Sequence, residues 1–437
     1  MELNSLIKVY LVQNRRKRIE QGHPWIYQSE VERIEGEFNP GDVVDVVNHQ
    51  GHFLARGYIN PASQMIVRVL TFNEEVQVNE QLFKDRILDA WNFRQRFLPG
   101  VRSCRVMYGE ADFLPGIVVD KFEDVLVVQI LSLGMEIRKD WILQALLDVF
   151  SPRAIYLRND VHVRELEGLE QEKGFWYGQS ETEIEIEENG LKLVVDIENG
   201  QKTGYFFDQR ENRSAIAPLM KGWGGVHGIR LQNIEDDNGE STVKPVDKRG
   251  KPVKNPFWDG AEVLDCFTHT GSFTLNACKH GAKKVTTLDI SELAIETAKR
   301  NVQLNGFLHR VNFVVANAFD YLRDAVKEEK LWDVVILDPP AFAKSRGAVK
   351  SALRGYKDIN LNGLKLVRDG GFLVTASCSY HVDPQAFQEM VREAARDAKK
   401  MIRLVHWSGA GIDHPQIAGV DEGHYLKFGI YEVRSRG

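Results

Sequence analysis

Val263-Leu264-Asp265-Cys266-Phe267-Thr268-His269-Thr270-Gly271-Ser272-Phe273 begins as a short apolar run and breaks into a polar loop. Runs bounded this way read as buried strands. The same form recurs downstream. Strand-like runs fall at 262–265, 285–289, 312–315, 334–337, 372–376 and 402–405, with helical patterns at 291–304 and 349–367. Asn305-Gly306 and Gly370-Gly371 stop those two helices. Strands alternating with helices predict a doubly wound parallel sheet, so the expected class is α/β with a Rossmann-like sheet. A last run, 425–433, has no helix after it.

Working outward, residues 184–197 alternate cleanly: Ile184 and Ile186 precede Asn189-Gly190, and Leu191, Leu193 and Val195 follow. An Asn-Gly pair between alternating runs predicts a hairpin. The stretch 222–260 is rich in Gly, Asp and Lys and lacks periodicity, which predicts a flexible inserted loop. At the other end, short β-like runs such as Val43–Val47 and 65–70 sit between glycines and prolines, as in a small β-barrel. A helix is expected over 81–97, strands over 116–120 and 125–130, and a second helix over 138–150. The expected division is therefore a β-barrel at 1–76, a central α/β segment at 77–183 and the sheet domain at 184–437.

Composition narrows the function classes. With 437 residues, 43% hydrophobic and 27% charged, the chain has the make-up of a globular protein of several domains. No stretch has the apolar length of a membrane helix, and Glu2 stands where a signal peptide would carry a base. Cys104, Cys266, Cys278 and Cys378 form no CxxC pair, which argues against a disulfide framework or a structural metal. The expectation is a reduced, cytoplasmic protein without a membrane partner. A net charge of −6 gives no support to nucleic-acid binding. Bases do cluster locally, in Arg15-Arg16-Lys17-Arg18 beside His23-Pro-Trp-Ile-Tyr27 and again over 244–254. The first patch reads equally as a phosphate-and-base contact or as a solvated charge run.

In open α/β sheets ligands bind at the carboxyl ends of the strands. The 265–271 loop holds one glycine rather than the three of a dinucleotide fingerprint, which counts against a nicotinamide oxidoreductase. Asp289, ending the next strand, can accept hydrogen bonds from ribose hydroxyls. An adenosine cofactor lacking phosphates fits both, and S-adenosylmethionine is the common one. Its candidate contacts are Asp265, Phe267, Thr270, Gly271, Asp289 and Asn317. Asn317 reads equally as a helix cap. No metal is expected.

Asp338-Pro339-Pro340-Ala341-Phe342 follows a later strand and resembles the motif that methyltransferases acting on planar nitrogenous rings place beside the cofactor's methyl group, with prolines that stiffen the corner. Alone it suits amino methylation of a purine as well as carbon methylation of a pyrimidine. Cys378, in Ser377-Cys378-Ser379 at the next strand's end, separates the two. A thiolate adding to carbon 6 of cytosine makes carbon 5 nucleophilic. Cys378 would be the nucleophile, and Asp338 would grip the ring beside the cofactor. The alternative for Cys378 is a small buried hydrophobe.

At this point the chain resembles the bacterial ribosomal RNA large-subunit cytosine-5 methyltransferases with an N-terminal PUA domain. The resemblance runs through Gly22-His-Pro-Trp25, Gly57-Tyr58, Asn60-Pro61, Tyr108-Gly-Glu110, Leu114-Pro-Gly116, Lys202-Thr-Gly204 and Asp208-Gln-Arg-Glu-Asn-Arg213. It continues through Leu264-Asp265, Thr270-Gly271, Asp338-Pro-Pro340, Arg354-Gly-Tyr-Lys-Asp-Ile-Asn360, Ser377-Cys-Ser379 and Asp413-His-Pro415. It implies a PUA barrel, a central domain, a class I methyltransferase domain and S-adenosylmethionine as donor. Its implied partner is 23S rRNA or a large ribosomal subunit precursor, with a homodimer left open. It also implies cofactor contacts within 202–210, which makes Gln209 and Arg210 candidates, although Asp208-Gln-Arg-Glu211 reads as a capping box. Asn317 stands where the family usually has aspartate. Two further readings stay open: a purine-nitrogen rRNA methyltransferase, and a ribosome-associated RNA-binding protein without catalysis.

Overall fold

The computed structural model describes residues 7–221, 228–235, 239, 241–253, 259–343, 345–420 and 423–436. The chain divides into two compact units: Met1–Ile186 with Val195–Asp208 and Gly411–Gly423, and Glu187–Val194 with Gln209–Ala410 and His424–Gly437.

The first unit takes in both the 1–76 and the 77–183 segments. Its six-stranded sheet runs in the order Trp25–Ile26, Val67–Thr71, Phe53–Ile59, Val43–Val47, Ile7–Leu11, Val31–Glu35. Val9, Leu11, Val44, Val46, Ala55, Val67 and Val69 turn inward to make its core. A five-stranded sheet follows, in the order Lys173–Gly178, Ala154–Arg158, Val125–Ile130, Ile117–Phe122, Cys104–Tyr108. Helices Glu80–Phe97 and Lys139–Phe150 pack on it through Phe83, Ile87, Ile142 and Leu146. Asn79 starts the first helix, its side chain accepting from Leu82 N at 3.0 Å.

Several residues of the resembling strings join these two sheets. Tyr58 donates to the Pro115 carbonyl at 2.7 Å, Trp25 Nε1 donates to Glu110 at 2.8 Å, and Asn60 Nδ2 donates to Glu167 at 2.9 Å. Arg68 and Glu167 form a buried ion pair at 2.9 Å. Gly116 has φ +87°, and a Cβ there would lie 2.2 Å from Ser132 Oγ, so only glycine fits. Asp413 accepts from the Arg105 amide at 3.1 Å, which ties the 411–423 segment into the same unit.

The 184–197 hairpin forms as expected, from Glu183–Glu188 and Leu191–Asp196. Asn189 and Gly190 both have positive φ, 54° and 67°, the conformation a type I′ turn needs.

The second unit holds a seven-stranded sheet: β1 (Glu262–Cys266), β2 (Lys284–Asp289), β3 (Val311–Val315), β4 (Trp332–Leu337), β5 (Val367–Ser377), β6 (Lys400–Ser408) and β7 (Lys427–Ser435). Their order is β3-β2-β1-β4-β5-β7-β6. Helices α1 (Ser272–Lys279), α2 (Glu292–Leu304), α3 (Ala318–Lys327), α4 (Val349–Leu366) and α5 (Pro384–Asp397) connect the strands. Leu322, Tyr356, Ile359, Phe387 and Met390 form one apolar layer, and Ile216, Leu219, Phe273 and Ala277 belong to another.

Two expectations are corrected. The sheet is not wholly parallel: β7 pairs antiparallel with both β5 and β6 and lies between them. Among the described residues no crossover helix links β6 to β7, and a parallel neighbour would need such a crossover. The 222–260 stretch is not all loop, because Arg230–Glu235 and Ser241–Val246 form an antiparallel pair. Both strands are largely exposed, so no buried face imposes an alternating pattern on their residues. Residues 222–227, 236–238, 240 and 254–258 of that stretch lie outside the described residues.

Candidate active site

The strand order reverses between β1 and β4, which are paired in register with Cys266 opposite Leu337. The loop after β1 and the Asp338-Pro-Pro corner after β4 therefore leave the sheet side by side, at the switch point where open α/β sheets bind ligands. β5 pairs with β4 on the other side, with Leu337 opposite Thr375. That register brings Cys378 to the same rim: its Sγ lies 3.8 Å from the Pro339 carbonyl. The carboxylate corner and the cysteine do meet.

Cys378 is half-buried, whereas Cys104, Cys266 and Cys278 are fully buried. Burial pushes the Cys266 thiol well up and the Cys278 thiol to about 12, as expected of inert core thiols. Ser379, next along, is held from two sides. Its hydroxyl accepts from Ala343 N at 3.0 Å and bonds the Tyr356 hydroxyl at 2.9 Å. Its carbonyl accepts from Lys427 Nζ at 2.6 Å. His381 stacks edge-on against Tyr380, with ring centroids 4.9 Å apart.

The loop after β1 is bent by three left-handed residues, Phe267, His269 and Gly271 (φ 64°, 52° and 84°). Backbone bonds hold it there: Thr268 N donates to the Leu288 carbonyl, and His269 N to Asp289 Oδ2 at 3.0 Å. Gly271 approaches α2 so closely that a Cβ would lie 3.1 Å from that of Ala298. Asp265 is fully buried, and its Oδ2 accepts from the Thr268 and Thr274 hydroxyls at 2.7 Å each. Burial pushes its carboxyl up to about 6. Asp265 Oδ1 and Thr270 Oγ1 are buried without a hydrogen-bond partner from the protein. A nucleoside with several hydrogen-bonding groups suits such a loop.

Asp289 and Asn317 serve the backbone as well. Asp289 Oδ1 accepts from Ser291 N at 3.0 Å, and Asn317 caps α3 by accepting from Phe319 N at 2.9 Å. The capping alternative for Asn317 is thus the geometry the structure has.

Gln209 and Arg210 separate. Arg210 is buried against Glu188, 3.6 Å away, beside the bidentate Arg213–Glu188 pair. Gln209 reaches the chemical end instead, and its Nε2 donates to Asp338 Oδ1 at 2.9 Å. Behind it, Asn212 Nδ2 donates to Gln209 Oε1 at 2.6 Å and Ser408 Oγ donates to Asn212 Oδ1 at 2.6 Å. This one-way chain turns the amide N–H of Gln209 toward Asp338, whose Oδ1 accepts it. The capping-box reading of 208–211 is corrected: helix Arg210–Ala215 has Gln209 at its N-cap position, with no side-chain capping bond. The Gln209 side chain is committed to Asp338 and Asn212. Sequence reasoning passed over Asn212, Ser408 and Lys427. Asn212 lay inside a quoted string, but only the fold shows which way it faces.

A depression of about 310 Å³ lies along Asn317, Asp320 and Tyr321, and another of about 290 Å³ opens beside Glu262, Lys284 and Trp332 at the amino ends of strands. Neither includes Asp338 or Cys378, so the strand-end geometry is the better guide to the chemistry. Among the described residues no group of three or more His, Cys, Asp or Glu is placed to hold a metal ion, and no helix is long and apolar enough to cross a membrane.

Fold and strand-end site together define a Rossmann-like methyltransferase with an N-terminal PUA-like β domain. Residues 9–72 match the PUA-like domain model, and 253–377 match the model described as conserved hypothetical protein 95. The second match stops one residue short of Cys378. Among solved chains, one assigned as a methyltransferase and complexed with SAH superposes with TM-score 0.77 at 18% identity, covering 98% of this chain and 100% of its own. Another, assigned as a SAM-dependent methyltransferase from Streptococcus mutans, gives TM-score 0.75 at 18% identity, with the same coverage. At that identity these two show the fold.

Sequence relatives identify the family. The chain is 36% identical over 425 residues to the ribosomal RNA large subunit methyltransferase I of Aliivibrio fischeri strain MJ11, covering 96% of this chain and 98% of the relative. With the protein of that name from Pseudoalteromonas translucida it shares 37% over 429 residues, covering 97% and 99%. The chain belongs to the ribosomal RNA large subunit methyltransferase I family.

Proposed function

We propose that this protein uses S-adenosylmethionine to methylate carbon 5 of a cytosine in 23S rRNA, through a transient bond between Cys378 and carbon 6 of the ring. The observation that carries the reading is the meeting of Cys378 Sγ with the Asp338-Pro-Pro corner, 3.8 Å from the Pro339 carbonyl. The buried polar atoms of Asp265 and Thr270, the left-handed turn at Gly271, Asp289 and Asn317 fit an adenosine-bearing donor, which supplies an electrophilic methyl group when bound. Phe267 would flank it, and Gln209 acts through Asp338 in this reading. Within the proposal the three-part division at 1–76, 77–183 and 184–437 assigns RNA holding to the first two parts and chemistry to the third. The site of action is the cytoplasm, where the large subunit or its precursor is assembled.

The Cys378 thiolate adds to carbon 6, and the electron pair of the 5,6 double bond makes carbon 5 nucleophilic. Nitrogen 3 takes a proton from water as the thiolate adds. Asp338, oriented by Gln209, hydrogen-bonds the ring edge at nitrogen 3 or the exocyclic amine and stabilises this protonated adduct, and the proton returns to water when the sulfur leaves. Once carbon 5 carries its methyl, its proton passes to water, the S–C6 bond breaks and the double bond re-forms with the thiolate regenerated. Holding thiolate, ring and donor in line supplies much of the rate.

The test is to incubate the protein with labelled S-adenosylmethionine and 5-fluorocytosine-substituted rRNA. Fluorine cannot leave as the proton does, so a covalent adduct that maps to Cys378 should accumulate. Methyl transfer that survives Cys378→Ala, or a methyl found on a purine nitrogen, would overturn the reading.

A further inference from the structure

Lys427 opens β7 and is 1% exposed. Burying an ammonium is costly unless something answers its charge and its three N–H groups. Among the described residues it makes no ion pair with a carboxylate. Its Nζ donates instead to two backbone carbonyls, Ser379 O at 2.6 Å and Tyr425 O at 2.8 Å. The first belongs to the residue directly after Cys378, so the ammonium is fastened to the strand tip that carries the half-buried sulfur and feels its charge.

Other polar groups face this point, Ser377 among them. Asp383 follows β5 and acts on Lys427 electrostatically, as does Cys378, whose effect is the larger. Tyr356 approaches from α4 through Ser379, with burial raising its hydroxyl, and Asp338 lies across the Pro339 carbonyl. Burial lowers the Lys427 ammonium to about 8, while the negative sulfur of Cys378 raises it. The effect is mutual: whatever a thiolate does to keep the amine charged, the charged amine does to keep the thiol ionised.

We propose that Lys427 is a positioning residue for Cys378: its ammonium, tethered to the Ser379 and Tyr425 carbonyls, holds the adjacent sulfur as a thiolate ready for addition to a pyrimidine ring. The proposal rests on the reading of Cys378 as the nucleophile, and it gives the lone buried lysine of β7 a chemical task. Placement on β7 has a physical logic, because that strand runs antiparallel to β5 and starts at the tip carrying Ser377-Cys378-Ser379, with Lys427 opposite Ser377.

The test reads the thiol directly, without RNA or methyl donor. The rate of Cys378 alkylation by iodoacetamide is measured against pH on the full chain by peptide mass mapping, with Cys378→Ser to verify the modified site. The native chain should give a midpoint below the value of about 8.5 for a free cysteine. Lys427→Met should move the midpoint up by about one unit, slowing alkylation near pH 7 about tenfold, while Lys427→Arg stays within about threefold of native. A structural lysine would lower the melting temperature of the Met variant and leave the midpoint where it was. A native midpoint at or above about 8.5, or superimposable native and Met profiles, overturns the proposal. Should the Met variant fail to fold, the native midpoint and the Arg variant decide. A trapped fluorocytosine adduct with an unmoved midpoint sinks the lysine's role alone. A shifted midpoint with no adduct leaves the lysine's hold on the sulfur standing and removes the nucleophile reading.

Discussion

Gln209→Met removes the donor that faces Asp338 while keeping nearly the same side-chain length. In the native chain Gln209 is 4% exposed, and its Nε2 lies 2.9 Å from Asp338 Oδ1. A hydrogen bond to a charged group is worth about 1.5–3 kcal/mol net. If that bond holds the carboxylate in its reactive orientation, its loss should lower kcat by roughly ten- to hundredfold. Asn212 keeps a second acceptor in the Gly409 carbonyl at 3.0 Å, so the Met variant leaves no amide stranded and should fold. Asn212→Leu removes the orienting contact behind Gln209 together with the bonds to the Gly409 carbonyl and the Ser408 hydroxyl, and should lower kcat less, by about 1 kcal/mol, or several-fold. The assay is steady-state methyl transfer from labelled donor to rRNA, with kcat and the KM for donor determined separately. A Gln209→Met enzyme with native kcat and a raised KM for donor would refute the argument. Gln209 would then be the cofactor contact that the family resemblance implies.

Three more outcomes follow from the buried charges and the basic patch. Burial holds Asp265 at about 6 against 3.8 for a free carboxyl, so between those values the folded chain binds the extra proton and stability falls as pH rises. From pH about 4 to about 7 the native chain should lose about 2.4 kcal/mol relative to Asp265→Asn in denaturation curves, and a difference between the two proteins that does not change with pH would contradict this. Asp120 is fully buried, bidentate to Arg105 at 2.9 and 2.7 Å and bonded to the Thr203 hydroxyl. Asp120→Ala strands the Arg105 charge and should cost about 3–5 kcal/mol in urea unfolding, with a loss under about 1 kcal/mol counting against it. Within the basic patch, Arg15 pairs with Glu20 and Arg18 with His23, while Arg16 and Lys17 are exposed. Reversing the charge of Arg16 and Lys17 should weaken rRNA binding and reduce its logarithmic salt slope by at least about 1.4–1.8, and an unchanged slope would remove the patch from the interface.

Elements with a strong local signal were legible in the chain. β1 to β5 fall where apolar runs alternate with helical patterns, and Asn189-Gly190 announces its own turn. The meeting of Asp338 with Cys378 was also legible, because adjacent strand ends in a Rossmann-like order share a rim. What local patterning cannot carry is the order of strands. The run at 427–435 gives no sign that it slots between β5 and β6, and a lysine at its start looks misplaced until that slot is known. Side-chain commitments were hidden for the same reason. Gln209 read as either a cap or a cofactor contact, and it serves Asp338, 129 residues away. The exposed hairpin of Arg230–Glu235 and Ser241–Val246 buries no face, so its strands left no period to read.

The placement of β7 bears on how the protein is made. Translation delivers β5 and β6 before the strand that separates them. Until residues 427–435 emerge, the sheet has a slot flanked by two bare edges, the kind of surface that invites wrong pairing. The same late strand brings Lys427 to the sulfur. A polypeptide interrupted before that strand would leave both edges open to wrong pairing.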